Sequence, residues 1–221
     1  MTTPAPAIPR SLFVYSLLYG GFVVLAGVMG VKLASLGHWP LLGDLAVESG
    51  IFAFLLLVVL SSAVAEQHGQ ETANKLVRYG FIPLIASMVM LTVVIRLVPP
   101  APFWGDQEAF ARLLGQGARM QFAGLISYGT SQLLNVAIFS RLAGSGGVGR
   151  LVAVRAWIAS VISQIVDTVL FITISFYGTG LPVGQIMEGQ IISKMVLSTL
   201  MVPVLVVAFV RMGRRLDGQP A

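Results

Sequence analysis

The sequence predicts an all-α membrane protein of six transmembrane helices with both termini cytoplasmic, and three observations carry that expectation. Only 10% of the 221 residues are charged, against about 25% in an ordinary soluble domain. The mean hydropathy is +0.87. Uncharged apolar runs of about 20 residues, the length that crosses a bilayer, recur along the chain. A soluble globular class is excluded. The net charge of +5 is no nucleic-acid signature, because most charges sit between the apolar runs, where they orient a protein in the bilayer. With no cysteine in the chain, disulfides, thiolate metal sites and cysteine nucleophiles are excluded, and no cofactor is expected.

The first span is read at 11–31, a stretch without a charge, after a tail over 1–10 with Pro4, Pro6 and Pro9 that is expected to be disordered. It is too long for the apolar core of a signal peptide, so a retained helix is expected. The following spans are read at 45–65, 79–95, 120–140, 156–177 and 185–210, within one domain over 11–211, with 212–221 as a tail. Asp167 falls inside the fifth span and Lys194 inside the sixth. An N-terminus on the inside places nine basic residues there (Arg10, Lys75, Arg78, Arg141, Arg150, Arg155, Arg211, Arg214, Arg215) and four outside (Lys32, Arg96, Arg112, Arg119). The positive-inside rule therefore puts both termini in the cytoplasm. The outer loop opens with Pro99, Pro100 and Pro102 and continues as a short amphipathic helix near 105–116 that Asp106 can cap. Phe103 and Trp104 before it read as interfacial anchors.

Two polar cassettes stand in the fourth and fifth spans. Ser131-Gln132-Leu133-Leu134-Asn135-Val136-Ala137-Ile138-Phe139 aligns without a gap on Ser163-Gln164-Ile165-Val166-Asp167-Thr168-Val169-Leu170-Phe171. On antiparallel neighbours, such cassettes suggest an inverted repeat about an axis in the membrane plane, an arrangement that builds midplane substrate sites. Ser160, Ser163, Gln164 and Asp167 share one helix face, as do Gln132 and Asn135 on theirs. At about 1.5 Å per residue, Asp167 lies near the centre of its span, Gln132 about 3 Å and Lys194 about 4 Å from the centres of theirs. Ionisable groups at that depth face a bundle interior or a cavity.

The plainer alternative is a structural Asp167–Lys194 ion pair with interhelical hydrogen bonds around it. Against it stands the surplus of donors and acceptors on Gln132, Asn135, Gln164, Asp167 and Lys194, enough to replace the hydration shell of a flat heterocycle. Lys32 and Glu66 stand at span ends, where snorkelling competes with a binding role. Glu48 faces either an outer vestibule or the headgroups. His38 and His68, both at span ends, do not suggest a metal site. Ala26, Gly30 and Ala34 form a small-residue stripe suited to close helix packing.

The run Pro99-Pro100-Ala101-Pro102-Phe103-Trp104 with Gln107-Glu108-Ala109-Phe110, then Ser131-Gln132-Leu133-Leu134, Phe139 and Arg141-Leu142, then Ser163-Gln164-Ile165-Val166-Asp167 with Phe171 and Phe176-Tyr177-Gly178, resembles the queuosine precursor transporters, also called the vitamin uptake transporter-like family. The likeness extends from about Lys32 to about Arg211. It implies a six-helix bacterial inner-membrane importer of 7-cyano-7-deazaguanine or 7-aminomethyl-7-deazaguanine. It also implies substrate contacts at Lys32, Glu66, Gln164, Asp167 and Lys194. Ser62 and Asn135 replace carboxylates usual in the family, and Ala156, Trp157 and Ala159 replace a polar cluster, while Arg155 and Ser160 remain. A related nucleobase or vitamin is thus an alternative cargo.

A different class of function is a substrate-capture subunit that needs an energising ATPase complex, for which the Ala26, Gly30, Ala34 stripe offers a docking surface. A homodimer is compatible with the chain. An enzyme is not expected, since the spans hold no Ser-His pair, His-Glu-x-x-His or Asp pair, and no phosphate loop is present. The Gly144-Ser145-Gly146-Gly147 segment lacks the lysine of such a loop and reads as a cytoplasmic linker.

Overall fold

The computed structural model of the chain describes residues 8–40, 43–115, 118–143, 151–178, 180 and 183–219. The tail prolines Pro4 and Pro6, the Gly144–Gly147 linker and Arg150 lie outside the described residues. The elements run α1 (Arg10–Met29), β1 (Leu33–Trp39), β2 (Gly43–Glu48), α2 (Gly50–Leu97), α3 (Gln107–Leu114), α4 (Ala118–Arg141), α5 (Val152–Phe176) and α6 (Val183–Leu216). Five helical stretches are long and apolar enough to cross a membrane: Arg10–Met29, Gly50–Leu97, Gln107–Arg141, Val152–Phe176 and Ile186–Leu216.

The 48-residue α2 is not one straight rod. Gly69, at φ 84° and ψ 163°, leaves the helical region and divides it. An L side chain rarely adopts that conformation, so glycine is required there. The parts at 50–68 and 70–97 are about 28 Å and about 42 Å long at 1.5 Å per residue. Pro83 and Pro203 sit within α2 and α6, where each removes one backbone donor.

On α1 the buried residues Ser11, Tyr15, Tyr19 and Val23 recur every four positions, whereas Phe13, Leu17, Leu25 and Val28 on other faces are exposed. That is the pattern of a helix with one face on a bundle and the rest in an apolar surround. The helices pack as α1 on α2, α2 on α4 and α6, α4 on α5, and α5 on α6. The close approach of α1 to α2 depends on Gly50, whose missing Cβ leaves room for the Ala26 carbonyl oxygen and the Gly30 Cα. Gly80 likewise makes room for Tyr19 and Tyr128, whose hydroxyls bond at 2.9 Å.

The hairpin corrects the sequence reading. Residues 45–48, assigned to the second span, are in β2, and α2 begins only at Gly50. A short apolar stretch does not distinguish a strand from the start of a helix by periodicity. The strands pair antiparallel, Leu33 opposite Glu48 and Trp39 opposite Gly43, with a bulge between Ser35 and Gly37 that Gly37 accommodates at φ 81°. The small-residue stripe is corrected too, because α1 ends at Met29 and Ala34 lies in β1. Asp106 does occupy the N-cap position of α3, but its side chain makes no capping hydrogen bond.

The start of α1 and the end of α6 lie at the same end of the bundle. The Ser11 backbone N–H donates to Asp217 Oδ1 at 2.9 Å and its hydroxyl to Oδ2 at 2.5 Å, while His68 Nε2 lies 2.7 Å from that hydroxyl. Here this is called the terminal end, and the opposite one the hairpin end. Burial raises the Asp217 carboxyl pKa, but the Ser11 hydrogen bonds and nearby His68 outweigh it and hold the group below the usual carboxylate range.

Candidate functional site

Within the bundle's largely apolar core lies a cluster of buried polar residues, and the exterior is apolar. Ser61, Ser62, Ser131, Gln132, Asn135, Ser160, Ser163, Gln164, Asp167 and Lys194 are all buried, while large apolar side chains such as Tyr79, Ile82, Met90, Phe122, Leu200 and Val204 are exposed. Buried polar groups at this density need partners or a solute.

A cavity of about 370 Å³ occupies the hairpin end, between the outer turns of α1, α2, α4 and α5 and beneath α3. Small-molecule sites span about 300–1,000 Å³. Its wall is apolar, with Ile51, Phe54 and Phe171 among the lining residues, and its polar groups include Glu48, Asp167 and Lys194. Lys194 Nζ lies 3.1 Å from Asp167 Oδ2, and Ser131 Oγ donates to Asp167 Oδ1 at 3.3 Å. The ion pair read as the plainer alternative is therefore present, at the floor of a cavity rather than in a packed core. Strand β2 packs on α6, which brings Glu48 close enough to interact electrostatically with both Lys194 and Asp167.

Below that floor a second layer follows. The Asn135 side-chain amide donates to Ser61 Oγ and Ser62 Oγ at 3.2 Å each, and Ser61 Oγ lies 3.4 Å from Gln132 Oε1. Gln132 Nε2, Asn135 Oδ1, Ser160 Oγ and both amide atoms of Gln164 are buried without a hydrogen-bond partner. An unmade hydrogen bond at a buried polar group costs about 1–3 kcal/mol, and none of these side chains lines the cavity. The two cassettes meet where Ser131 bonds Asp167, but the reciprocal contact that a two-fold axis demands is not made. Asn135 turns to α2, and Ser163 Oγ donates to the Ser160 carbonyl at 3.0 Å.

Nearer the terminal end, Arg155 and Glu66 form a buried pair at 2.9 Å. Arg155 also donates to the Phe139 carbonyl and stacks over the Phe139 ring, with its guanidinium carbon 4.2 Å from the centroid. The sequence reading put Arg155 just before the fifth span; it is a buried residue of α5, which begins at Val152. Glu66 is held at this layer and does not line the cavity. Lys32 is an exposed turn residue whose carbonyl accepts from Ser49 N at 2.7 Å, and it does not line the cavity either.

The structure thus gathers Asp167 and Lys194 at the floor and Gln132, Asn135, Ser160, Ser163 and Gln164 beneath it, while Glu66 and Lys32 stand apart. Glu48, Ser61 and Ser62 join the site through tertiary contacts, and Arg155 stands apart with Glu66. Among the described residues no group of His, Cys, Asp and Glu is arranged to hold a metal ion.

A protein-family model described as "Putative vitamin uptake transporter" matches residues 48–208. No curated protein and no solved structure matches the chain.

Proposed function

Since the chain belongs to the vitamin uptake transporter family, a family of multi-pass transporters rather than enzymes, we propose that it imports a 7-deazaguanine, the cyano or aminomethyl precursor of queuosine, across a bacterial inner membrane. The observation that carries this reading is the cavity whose floor is the Asp167–Lys194 pair with unpartnered amides directly beneath it. A 7-deazaguanine presents N–H donors along its ring edge, for which carboxylate and amide oxygens are natural acceptors. The amides of Gln132, Asn135 and Gln164 match carbonyl and ring-nitrogen positions on the same edge.

In this reading each half of α2 crosses the membrane, which gives six spans. The contact between Ser11 and Asp217 supports an even number, because it puts both ends of the bundle on one side. The basic residues Lys75, Arg78, Arg141, Arg211, Arg214 and Arg215 favour that side as cytoplasmic. The cavity then opens outward, and the Glu66–Arg155–Phe139 cluster closes the inner end. Alternating access requires that cluster to part while the hairpin end closes.

A stand-alone importer is favoured over a capture subunit by the fate of the small-residue stripe. Ala26 and Gly30 are used inside the chain against Gly50, so they form no free docking face.

The test is a thermal-shift panel of the purified protein against 7-cyano- and 7-aminomethyl-7-deazaguanine, guanine and unrelated vitamins. Stabilisation by the deazaguanines above the others is expected. Stabilisation by a vitamin alone would overturn the cargo assignment.

A further inference from the structure

We propose that Glu48 is a further binding residue, and that with Asp167 it seats a protonated amine on the cargo, so that the site takes a heterocycle with a cationic side arm in preference to its neutral counterpart. This deepens the importer reading and rests on it.

Around Lys194 the cavity lining carries two carboxylates, Glu48 and Asp167, and this one ammonium. With both carboxylates ionised, one unit of negative charge is left over. The other cation of the lining, Arg112, is not among the charges that act on Glu48, and it is an exposed residue of α3. A primary ammonium offers three N–H donors and no acceptor, so it can bridge both carboxylates and cancel the excess charge while the ring edge engages the amides below. A nitrile in the same place offers only a lone pair to two anions.

The backbone around Glu48 is fixed enough to make this a built feature. Glu48 is paired with Leu33 at the end of the hairpin. The next residue, Ser49, donates its N–H to Lys32 O, and Gly50 is locked against the backbone of α1. Three successive positions therefore fix the backbone that carries this cavity-lining carboxylate, and β2 rests on the helix that carries Lys194. Burial pushes the Glu48 carboxyl up, and an ammonium seated beside it favours its ionised form.

The experiment measures binding of 7-aminomethyl- and 7-cyano-7-deazaguanine to purified wild-type protein, Glu48→Gln and Glu48→Asp by isothermal titration. The wild type should bind the aminomethyl compound at least about tenfold more tightly, the scale of one charge-assisted hydrogen bond. Glu48→Gln should bring the ratio toward one by weakening the aminomethyl compound, and Glu48→Asp should retain most of the preference. Equal binding of both compounds to the wild type, or an unchanged ratio in Glu48→Gln, overturns this inference while the importer reading stands. Binding of neither compound overturns the importer reading and this inference with it. The wild-type ratio needs no variant, so a poorly folded substitution does not remove the test.

Discussion

Replacing Asp167 by Asn keeps the shape of the side chain and removes its charge. In the native site this carboxylate accepts from Ser131 at 3.3 Å and pairs with Lys194 at 3.1 Å. The amide oxygen of Asn can still accept from Ser131, so the loss is concentrated in the ionic contacts. A charge-assisted hydrogen bond to the cargo in a dry site contributes about 1.5–3 kcal/mol, a tenfold to hundredfold weakening of affinity on its removal. The same substitution leaves Lys194 without its closest carboxylate. Removing one member of a buried pair costs about 3–5 kcal/mol when the remaining charge is uncompensated. Glu48 offsets part of that here, so the variant should fold with a lowered melting temperature. The double variant Asp167→Asn, Lys194→Met removes the stranded charge and should melt higher than the single one. Isothermal titration with the deazaguanine gives affinity, and melting of the ligand-free protein separates folding from recognition. Near wild-type affinity in Asp167→Asn would refute the recognition role of this carboxylate.

Three other outcomes follow from the same geometry. Glu66→Gln strands the Arg155 guanidinium at the terminal end, so a melting temperature lowered by a stability loss on the order of 3 kcal/mol is expected, with deazaguanine affinity changed by less than about threefold; a large affinity loss at unchanged stability would instead make Glu66 a contact for cargo. The Asp217 carboxyl titrates below its ordinary value, so its hold on the start of α1 is present above the usual carboxylate range and is lost as pH falls through the depressed value; amide exchange at Ser11 should quicken severalfold at that acid end, relative to intrinsic rates, and Asp217→Asn should show the quickened exchange already at neutral pH. A reporter fused after Arg215 should behave as cytoplasmic and one inserted near Gly105 as periplasmic, and the reverse pattern would overturn the orientation.

What the sequence made legible follows from contrast. Gln132, Asn135, Gln164 and Asp167 stand out because they interrupt apolar runs at one depth, and the spacing of each cassette fixes the face it presents. The end of the second span was readable near Glu66, His68 and Gly69, but not that helix continues over 66–78 on both sides of a single non-helical residue, Gly69. Glu48 was not legible, because its place over Lys194 depends on a hairpin whose strands resemble helix ends in composition. The Arg155–Glu66 pair joins residues 89 positions apart, and Arg155 reads as one more positive charge at a helix end until packing shows it buried over Phe139. Ser61 and Ser62 are small polar residues of a kind common in membrane helices, and only the approach of α4 to α2 makes them partners of Asn135. Helix faces are local information; which faces meet is not.

The central claim is that this chain alone carries a 7-deazaguanine across a membrane. Purified protein reconstituted without any ATPase into sealed liposomes, supplied with radiolabelled 7-aminomethyl-7-deazaguanine, tests it most directly. The account predicts saturable uptake that equilibrates the solute, shows little response to an imposed proton gradient, and falls at least about tenfold in Asp167→Asn at subsaturating solute. Uptake no faster than in protein-free liposomes would contradict it.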